Sequence, residues 1–293
     1  MIPTSTVSIT CADGRELVGE LRRPADPRAA VVLHPATAVP TKIYRVFAQQ
    51  LAERGHAVLT YDYRGTGRSA ATPLRLDRHV TMTDWIDLDA PAACDWLHAA
   101  FPGLPMLAIG HSVGGHAIAL GAGADHLIAA VTIASHAGIT ALIPERAERL
   151  RVAAILSAIG PLTARTLGFV PARRLGIGED MPAGVMLQWG RWSRQRDYFF
   201  DDPSLDAVTR AARLRVPILA VGIDDDPWAT PTAIERITRR LTGAPVERLQ
   251  LATTPDAPVG HLGFFRPSSS ERLWGPVLEW TDAQVEGARA GRG

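Results

Sequence analysis

The residue types most able to do chemistry lie in Gly110-His111-Ser112-Val113-Gly114, a glycine–x–serine–x–glycine pattern between a strand-like apolar run and a helical pattern. In that context the pattern predicts a sharp strand-to-helix turn that exposes the serine hydroxyl as a nucleophile. Small residues on either side suit so tight a turn, and the dipole of the following helix favours developing negative charge. The alternative interpretation is an ordinary glycine-rich structural turn.

A nucleophilic serine requires a base, and the base requires a carboxylate that orients it. His261 is the predicted base, because it follows the last predicted parallel strand in the glycine-flanked segment "APVGHLGFFRP". Three aspartates, residues 224–226, end the preceding strand in "VPILAVGIDDDPWATP", so an acid lies between serine and histidine in chain order. His126 and His136 lie at the two ends of another predicted strand, where a structural role is expected, although His136 is also a candidate to line a pocket.

The order of apolar runs predicts the scaffold that positions these groups. After an opening hairpin come five apolar runs of strand length, "AAVVLHP", "HAVLTYDYR", "LPMLAIG", "IAAVTIAS" and "VPILAVGI", with helical patterns between several of them. Short runs that are apolar on both faces are typical of buried parallel strands. Their alternation with helices predicts an α/β fold with a mostly parallel central sheet and helices on both faces.

This alternation is interrupted over residues 138–205, which read first as helical and then as irregular and aromatic. So short a segment would bury little core by itself, so it predicts an inserted lid over the carboxyl edge of the sheet rather than a second domain. The predicted organisation is a core of residues 1–137 and 206–286, a lid of residues 138–205 and a flexible tail of residues 287–293.

Aromatic side chains are concentrated in the predicted lid and include Trp189, Trp192 and Tyr198. In one interpretation these rings form an apolar wall for the acyl group of a substrate. In the other, they form the core of the lid itself.

Composition excludes several classes of partner. The 293 residues are 46% hydrophobic and carry a net charge of +1, whereas nucleic acids and anionic membranes require a one-sided field. The N-terminus lacks the basic and apolar regions of a secretory signal, and no apolar stretch reaches the ~20 residues of a membrane helix. With Cys11 and Cys94 expected as free thiols, these features predict a cytoplasmic protein without nucleic-acid or membrane partners.

Two further patterns argue against cofactors. The glycines of "RGTGRSA" follow a strand, but they lack the helix and the acidic residue that a dinucleotide site requires. His111 and His116 are five residues apart and do not share a helical face, and the cysteines match no metal-binding spacing. We therefore expect neither a nucleotide nor a metal.

Together these motifs resemble the α/β-hydrolase superfamily over nearly the whole chain. Besides "GHSVG", the segment "YDYRGTGRS" is similar to a turn that these hydrolases often carry, "VGIDDDP" with "ATPTA" to their acid loop, and "VGHLGFF" to their histidine loop. More narrowly, "QWGRWSR", "RLGIGEDMP" and "GHLGFFR" resemble an uncharacterised group of predicted serine hydrolases near the serine-aminopeptidase and monoglyceride-lipase branch.

This resemblance implies a role for each matching residue. Ser112 is the nucleophile and His261 the general base. Counting from Gly222 places the acid at Asp225, whereas counting back from "PWATP" places it at Asp226, which we favour because the stretch after the acid matches better.

The oxyanion hole implied by the resemblance consists of the Val113 backbone N–H and a second N–H from the loop after "VVLH". Here "HPAT" stands where H-G-G or H-G-x is common, and Pro35 has no N–H to donate. The expected second donor is therefore Ala36, with Thr37 adding a hydroxyl.

The resemblance further implies a cofactor-independent hydrolase that forms an acyl-enzyme on a small-molecule substrate. A carboxylic ester with an apolar acyl or alcohol part is the first expectation. A thioesterase, amidase or peptidase, lactonase or acyltransferase with the same three residues, and a non-catalytic binding protein of this fold, remain alternatives. The oligomeric state is not predicted. The residues expected to contact the substrate are Thr37, His111, His136, Trp189, Trp192, Tyr198 and Phe264.

Overall fold

The computed structural model describes residues 2–291 and is organised around one eight-stranded sheet, beside which lies a separate two-stranded pair. The strands are β1 (Thr4–Thr10), β2 (Glu16–Arg22), β3 (Ala29–His34), β4 (His56–Tyr61), β5 (Met106–His111), β6 (Leu127–Ile133), β7 (Phe169–Val170), β8 (Met181–Pro182), β9 (Ile218–Ile223) and β10 (Val246–Leu251). The helices are α1 (Arg45–Glu53), α2 (Met82–Asp84), α3 (Ala90–Ala100), α4 (Val113–Ala119), α5 (Arg146–Ala154), α6 (Gly160–Leu167), α7 (Ala183–Trp192), α8 (Ala207–Arg213), α9 (Pro231–Thr238), α10 (Gly260–Gly263) and α11 (Gly275–Ala290).

The main sheet has the order β1-β2-β4-β3-β5-β6-β9-β10. The β1–β2 and β2–β4 pairs are antiparallel, and all pairs from β4 to β10 are parallel. Apolar side chains on one face pack against α1 and α11, and those on the other face pack against α3 and α4. Every residue of β3 and β5 is buried, as expected for strands covered on both sides. The predicted α/β class and sheet arrangement are confirmed.

The carboxyl ends of the parallel strands meet at one edge of the sheet, where the predicted functional residues follow directly. Ala36 and Thr37 come after β3, Ser112 after β5, and residues 224–226 after β9. His136 follows β6 at the same edge. Ligands of parallel α/β sheets bind in crevices at this edge, so the topology alone brings distant segments of the chain together.

One strand of the sheet was missed by the sequence analysis. β10 runs parallel to β9 at the edge of the sheet and carries mostly exposed polar side chains, with the sequence VERLQL. An edge strand with one solvated face lacks the continuous apolar run that marks the inner strands.

The segment between β6 and β9 contains α5, α6, α7 and the paired strands β7 and β8, and these two strands lie outside the main sheet. The helical part predicted from the sequence is present, but the β7–β8 pair was not predicted. A strand of two residues is too short to show any periodicity. The division into core and lid at residues 138 and 205 stays a prediction.

The predicted flexible tail needs correction, because α11 continues to Ala290. Residues 287–290 are therefore helical, and residues 292 and 293 lie outside the described residues. A Cβ added at Gly287 would meet no atom within 4 Å, so this glycine lies on an open side of the helix.

Helices α5 and α6 join through a π-helical turn into one run, Arg146–Leu167, of 22 residues. By length and composition this run is apolar enough to cross a membrane, although no single apolar stretch of that length was expected from the sequence. In the most apolar 18-residue stretch of this run, 28% is buried in the structure. The buried residues include Ile155 and Leu156.

Buried histidines at this edge of the sheet predict that stability falls in mild acid. Burial lowers the pKa of His34, His111 and His116 to about 3 and that of His136 to about 4. As the pH falls below 6.5, the unfolded chain therefore binds protons that the folded protein does not bind. Each such proton lowers the free energy of unfolding by about 1.4 kcal/mol per pH unit. Asp89 offsets about one proton of this difference. Burial raises the pKa of its carboxyl to about 6, so here the folded protein binds a proton that the unfolded chain does not.

We therefore expect the free energy of unfolding to fall between pH 6.5 and 5 with a slope of about three protons per molecule, to which His56 adds because burial lowers its pKa too. Urea titrations at several pH values measure this slope, and they avoid the range below pH 5 in which ordinary carboxylates titrate. The substitution His116→Gln should remove about one proton from the slope. A slope below one proton in the unsubstituted protein would contradict the account.

Candidate active site

A strained turn places Ser112 between β5 and α4. Its backbone has φ of 52° and ψ of −112°, a conformation that non-glycine residues rarely adopt. Its N–H donates to the Ile133 carbonyl at 2.9 Å, and its own carbonyl accepts from Ser135 Oγ at 2.8 Å. The turn is thus held by the neighbouring strand β6 and the residues after it.

Three glycines make this turn possible. A Cβ on Gly110 would lie 2.5 Å from the backbone carbon of Gly114, and a Cβ on Gly114 would overlap the His34 carbonyl. A Cβ on Gly115 would overlap the Ser135 side chain. The expectation that small residues flank the serine in this tight turn therefore has a direct steric counterpart in the structure.

The structure brings together the three side chains predicted to act as a unit. Ser112 Oγ lies 3.1 Å from His261 Nε2, and His261 Nδ1 lies 2.7 Å from Asp226 Oδ2. His261 and Asp226 are buried, whereas Ser112 is only partly buried. The arrangement can move a proton from the serine hydroxyl to an imidazole that a carboxylate holds in the required tautomer.

The two aspartates left open by the sequence have different positions. Asp226 contacts His261, and its second oxygen accepts the Trp228 and Ala229 N–H groups at 2.9 and 3.0 Å. Asp225 instead accepts the Val259 and Gly260 N–H groups at 2.7 and 2.9 Å. It thereby ties the loop before His261 to the end of β9.

Electrostatics keeps Asp226 ionised. Burial alone would raise its pKa, but the charge and hydrogen bond of His261 and the Ala229 N–H outweigh burial and hold the pKa of Asp226 well below its ordinary value. An ionised carboxylate at this position stabilises the imidazolium that forms when His261 accepts a proton.

The two N–H groups predicted to form the oxyanion hole have different surroundings. Val113 is the first residue of α4, so its N–H lies at the positive end of the helix next to Ser112. The Ala36 N–H, however, donates to the Tyr44 hydroxyl at 2.8 Å, and its one proton is not available to a substrate in this structure. The prediction that the Ala36 N–H is the second donor is therefore corrected. Ala36 and Thr37 both line the cavity beside Ser112, and Thr37 is the remaining candidate donor in this loop.

An apolar cavity opens above Ser112 and His261. It encloses about 970 Å³, a figure that includes the solvent at its mouth. Its walls are mostly aliphatic and aromatic, and they come from the loop after β3, the segment between β6 and β9, and the loops carrying Asp226 and His261. The lining residues include Thr37, His136, Ile139, Ile143, Arg151, Val152, Ile155, Leu156, Ile177, Trp189, Trp228 and Leu262.

Three of the residues predicted to contact a substrate lie in this lining: Thr37, His136 and Trp189. The His136 ring packs edge-on against the His261 ring with centroids 5.1 Å apart. Their contact with a substrate stays a prediction.

The other four predicted contact residues are buried away from the cavity. Trp192 is fully buried and donates through Nε1 to Asp202 at 2.7 Å, and Tyr198 packs beside it. Phe264 lies in the core against Phe47. These side chains fill the interior, so the interpretation that the rings form a core holds for Trp192 and Tyr198, whereas Trp189 faces the cavity.

His111, the fourth predicted contact residue that does not line the cavity, also lies out of its reach. Its ring is fully buried under the elbow, between Tyr44 and the backbone of His261. Side chains alternate across a strand, so the last residue of β5 points into the core while the turn lifts Ser112 out of it.

Sequence reasoning missed a contact between the acid loop and α5. Trp228 Nε1 donates to Glu148 Oε1 at 2.7 Å, and Glu148 also pairs with Arg151 at 2.7 Å. The Trp228 ring lies 4.9 Å from the His261 ring, so one side chain contacts both the predicted base and the segment above it. The only available signal was the position of Trp228, two residues after Asp226.

Comparison with known proteins agrees with this architecture. A model of the serine aminopeptidase family S33 matches residues 25–167, just under half of the chain, and this part includes Ser112 but not Asp226 or His261. No curated protein gives a significant sequence match. The resemblance to the α/β hydrolases and to the serine-aminopeptidase branch is thereby confirmed.

Solved structures extend the likeness to the whole fold. A thermostable carboxyl esterase from Bacillus coagulans, solved with glycerol, is 14% identical with a TM-score of 0.62, covering 97% of this chain and 100% of its own. The esterase Pf2001 of Pyrococcus furiosus is 16% identical with a TM-score of 0.60, and the match covers 97% of this chain and 93% of the esterase. The α/β hydrolase GrgF from Penicillium is 19% identical with a TM-score of 0.59, covering 97% of each. At these identities the likeness concerns the fold, which is that of the α/β hydrolases.

The different contacts of the two aspartates generate a prediction. Asp226→Asn should slow the labelling of Ser112 by a fluorophosphonate by up to ~10,000-fold, because an amide favours the wrong tautomer of His261. Asp225→Asn keeps an oxygen that can accept from the Val259 loop, so labelling should slow by less than about tenfold.

Labelling rates, together with melting temperatures that confirm folding, measure the difference. If Asp225→Asn slowed labelling as much as Asp226→Asn in a folded protein, the assignment of the acid to Asp226 would fail.

Proposed function

We propose that this protein, which has the α/β-hydrolase fold, is a serine hydrolase that acts through an acyl-enzyme on a carboxylic ester with an apolar acyl or alcohol part. The observation that carries the proposal is the continuous contact from Ser112 Oγ through His261 to Asp226 beneath an apolar cavity. A binding protein of this fold needs none of these three residues together.

In the first half of the proposed reaction, Ser112 Oγ attacks the substrate carbonyl carbon while its proton passes to His261 Nε2. The carbonyl oxygen becomes an oxyanion that accepts a hydrogen bond from the Val113 N–H. The Thr37 hydroxyl is the proposed second donor. Each such donor contributes roughly 100- to 1,000-fold in rate. When the tetrahedral intermediate collapses, the bond to the leaving alcohol breaks and His261 returns the proton to that alcohol.

In the second half, water attacks the acyl-enzyme carbonyl and His261 Nε2 takes a proton from it. Collapse of the second intermediate releases the carboxylic acid and restores the Ser112 hydroxyl with that proton. Asp226 stays ionised throughout and stabilises the charged imidazole.

The walls of the cavity support an apolar group on the substrate. Ile155 and Leu156 contribute aliphatic surface from the turn between α5 and α6, and Trp189 contributes a ring from α7. Arg151 is the charged member of the lining, and Glu148 already pairs with it, so the lining offers little net charge to an ionic substrate. The esterase neighbours agree with an ester substrate, although the same three residues also suit thioesters, amides and acyl transfer.

A panel of nitrophenyl acetate, nitrophenyl octanoate, an octanoyl thioester and an octanoyl anilide tests the proposal. We expect hydrolysis of the esters, with the octanoate favoured in kcat/KM because its chain buries apolar surface in the cavity. Ser112→Ala should abolish turnover. Faster turnover of the thioester or the anilide than of the ester would transfer the assignment to that class. No turnover of any substrate by folded protein would support a non-catalytic role.

Trp189 and Trp192 form a matched pair for the same assay. Trp189→Ala should raise KM for the octanoate several-fold and leave the acetate within about twofold, because only the longer chain reaches this wall. Trp192→Ala should instead lower the melting temperature, because it leaves a cavity in the interior and removes one hydrogen bond to Asp202. Equal effects of Trp189→Ala on both esters would contradict the placement of the acyl chain.

A further inference from the structure

A chain of hydrogen bonds runs beneath the site and joins three of its loops. The Ala36 N–H donates to Tyr44 Oη at 2.8 Å, Tyr44 Oη lies 3.0 Å from His111 Nδ1, and His111 Nε2 lies 3.0 Å from the His261 carbonyl oxygen. Ala36 belongs to the loop after β3, and His111 is the last residue of β5. Tyr44 lies in the helical turn before α1. We call these four groups the Tyr44–His111 relay.

The direction of every bond in the relay is fixed by its two ends. A backbone N–H at Ala36 can only donate, so Tyr44 Oη accepts from it and has its own proton left to give. A backbone carbonyl at His261 can only accept, so His111 carries its proton on Nε2. His111 Nδ1 is therefore an acceptor, and it receives the Tyr44 proton.

Burial makes the relay hard to replace. Tyr44 and His111 are fully buried, and the ring of Phe265 packs against both, with centroids 4.7 and 5.0 Å away. Because water does not reach these groups, the loss of one partner leaves the other unpaired. Burial also lowers the pKa of His111 to about 3, so the ring stays neutral at neutral pH.

We propose that Tyr44 and His111 are positioning residues of the site, which fix the oxyanion loop and the backbone of His261 relative to the Ser112 turn. This inference rests on the proposed hydrolase function. Tyr44 acts through Ala36, holding the loop so that the next residue, Thr37, faces the cavity. His111 acts through the His261 carbonyl, which sets the height of the imidazole above Ser112.

The two halves of the relay can be broken separately. Asn at position 111 places an amide oxygen near the position of Nδ1, so His111→Asn keeps an acceptor for Tyr44 and loses the donor to His261. Gln at position 111 places an amide N–H near the position of Nε2, so His111→Gln keeps the donor to His261 and loses the contact with Tyr44. Tyr44→Phe removes the contact with His111 as well, and it also leaves the Ala36 N–H without its acceptor.

We expect Tyr44→Phe and His111→Gln each to lower kcat for the nitrophenyl octanoate by about 10- to 100-fold with KM within about threefold, because misplaced groups impair the reacting geometry more than binding. The double variant should lose no more than Tyr44→Phe alone, since Tyr44→Phe already lacks the Tyr44–His111 contact that His111→Gln removes. His111→Asn should also lower kcat.

His111→Asn should in addition shift the low-field proton resonance of the His261 Nδ1–H, which is assigned by its loss in His261→Gln. His111→Gln should leave this resonance in place. The resonance reports the His261–Asp226 contact directly and does not depend on turnover.

Tyr61→Phe is the matched control, because Tyr61 Oη makes a similar buried bond of 2.7 Å to His34 Nδ1, outside the relay. It should lower stability to a similar extent and leave kcat within about twofold. The proposal is overturned if Tyr44→Phe and His111→Asn change kcat no more than Tyr61→Phe does and the resonance stays unmoved. If the wild-type protein were inactive, the proposed function would fail, and an unmoved resonance in His111→Asn would overturn the relay separately.

Discussion

The left-handed backbone of Ser112, with φ of 52°, is the constraint on which the rest of the site depends. Such a conformation costs of order 1–3 kcal/mol, and the surrounding packing must impose it. Here the glycines at positions 110, 114 and 115 let α4 approach β3 and the residues after β6 closely enough to do so. Because the turn is sharp, it raises Ser112 towards the cavity, directs the Val113 N–H alongside it and keeps His111 in the core.

The sequence predicted those parts of the site that are encoded locally. The turn at Ser112 is recognised from the spacing of its glycines, and the inner strands are recognised from continuous apolar runs, because both patterns result from local sterics and burial. The aspartates and His261 follow from chain order and loop position. The choice of Asp226 over Asp225 depended on one residue of spacing, and only the convergence of the two loops shows which carboxylate contacts the imidazole.

The remaining features depend on tertiary packing and had no local signal. The polar edge strand β10 is recognised only by its pairing with β9. Trp189 and Trp192 are three residues apart on one helix, yet one faces the cavity and the other faces Asp202, which depends on where α7 packs. Similarly, the Ala36 N–H points to a tyrosine eight residues away, so the short motif alone gave the wrong donor.

Intact-mass spectrometry after treatment with a fluorophosphonate shows whether Ser112 is an activated nucleophile. We expect a single adduct on the wild-type protein, located on the peptide that contains Ser112, and none on Ser112→Ala. Absence of an adduct on folded wild-type protein, or an adduct that persists on Ser112→Ala, would contradict this expectation.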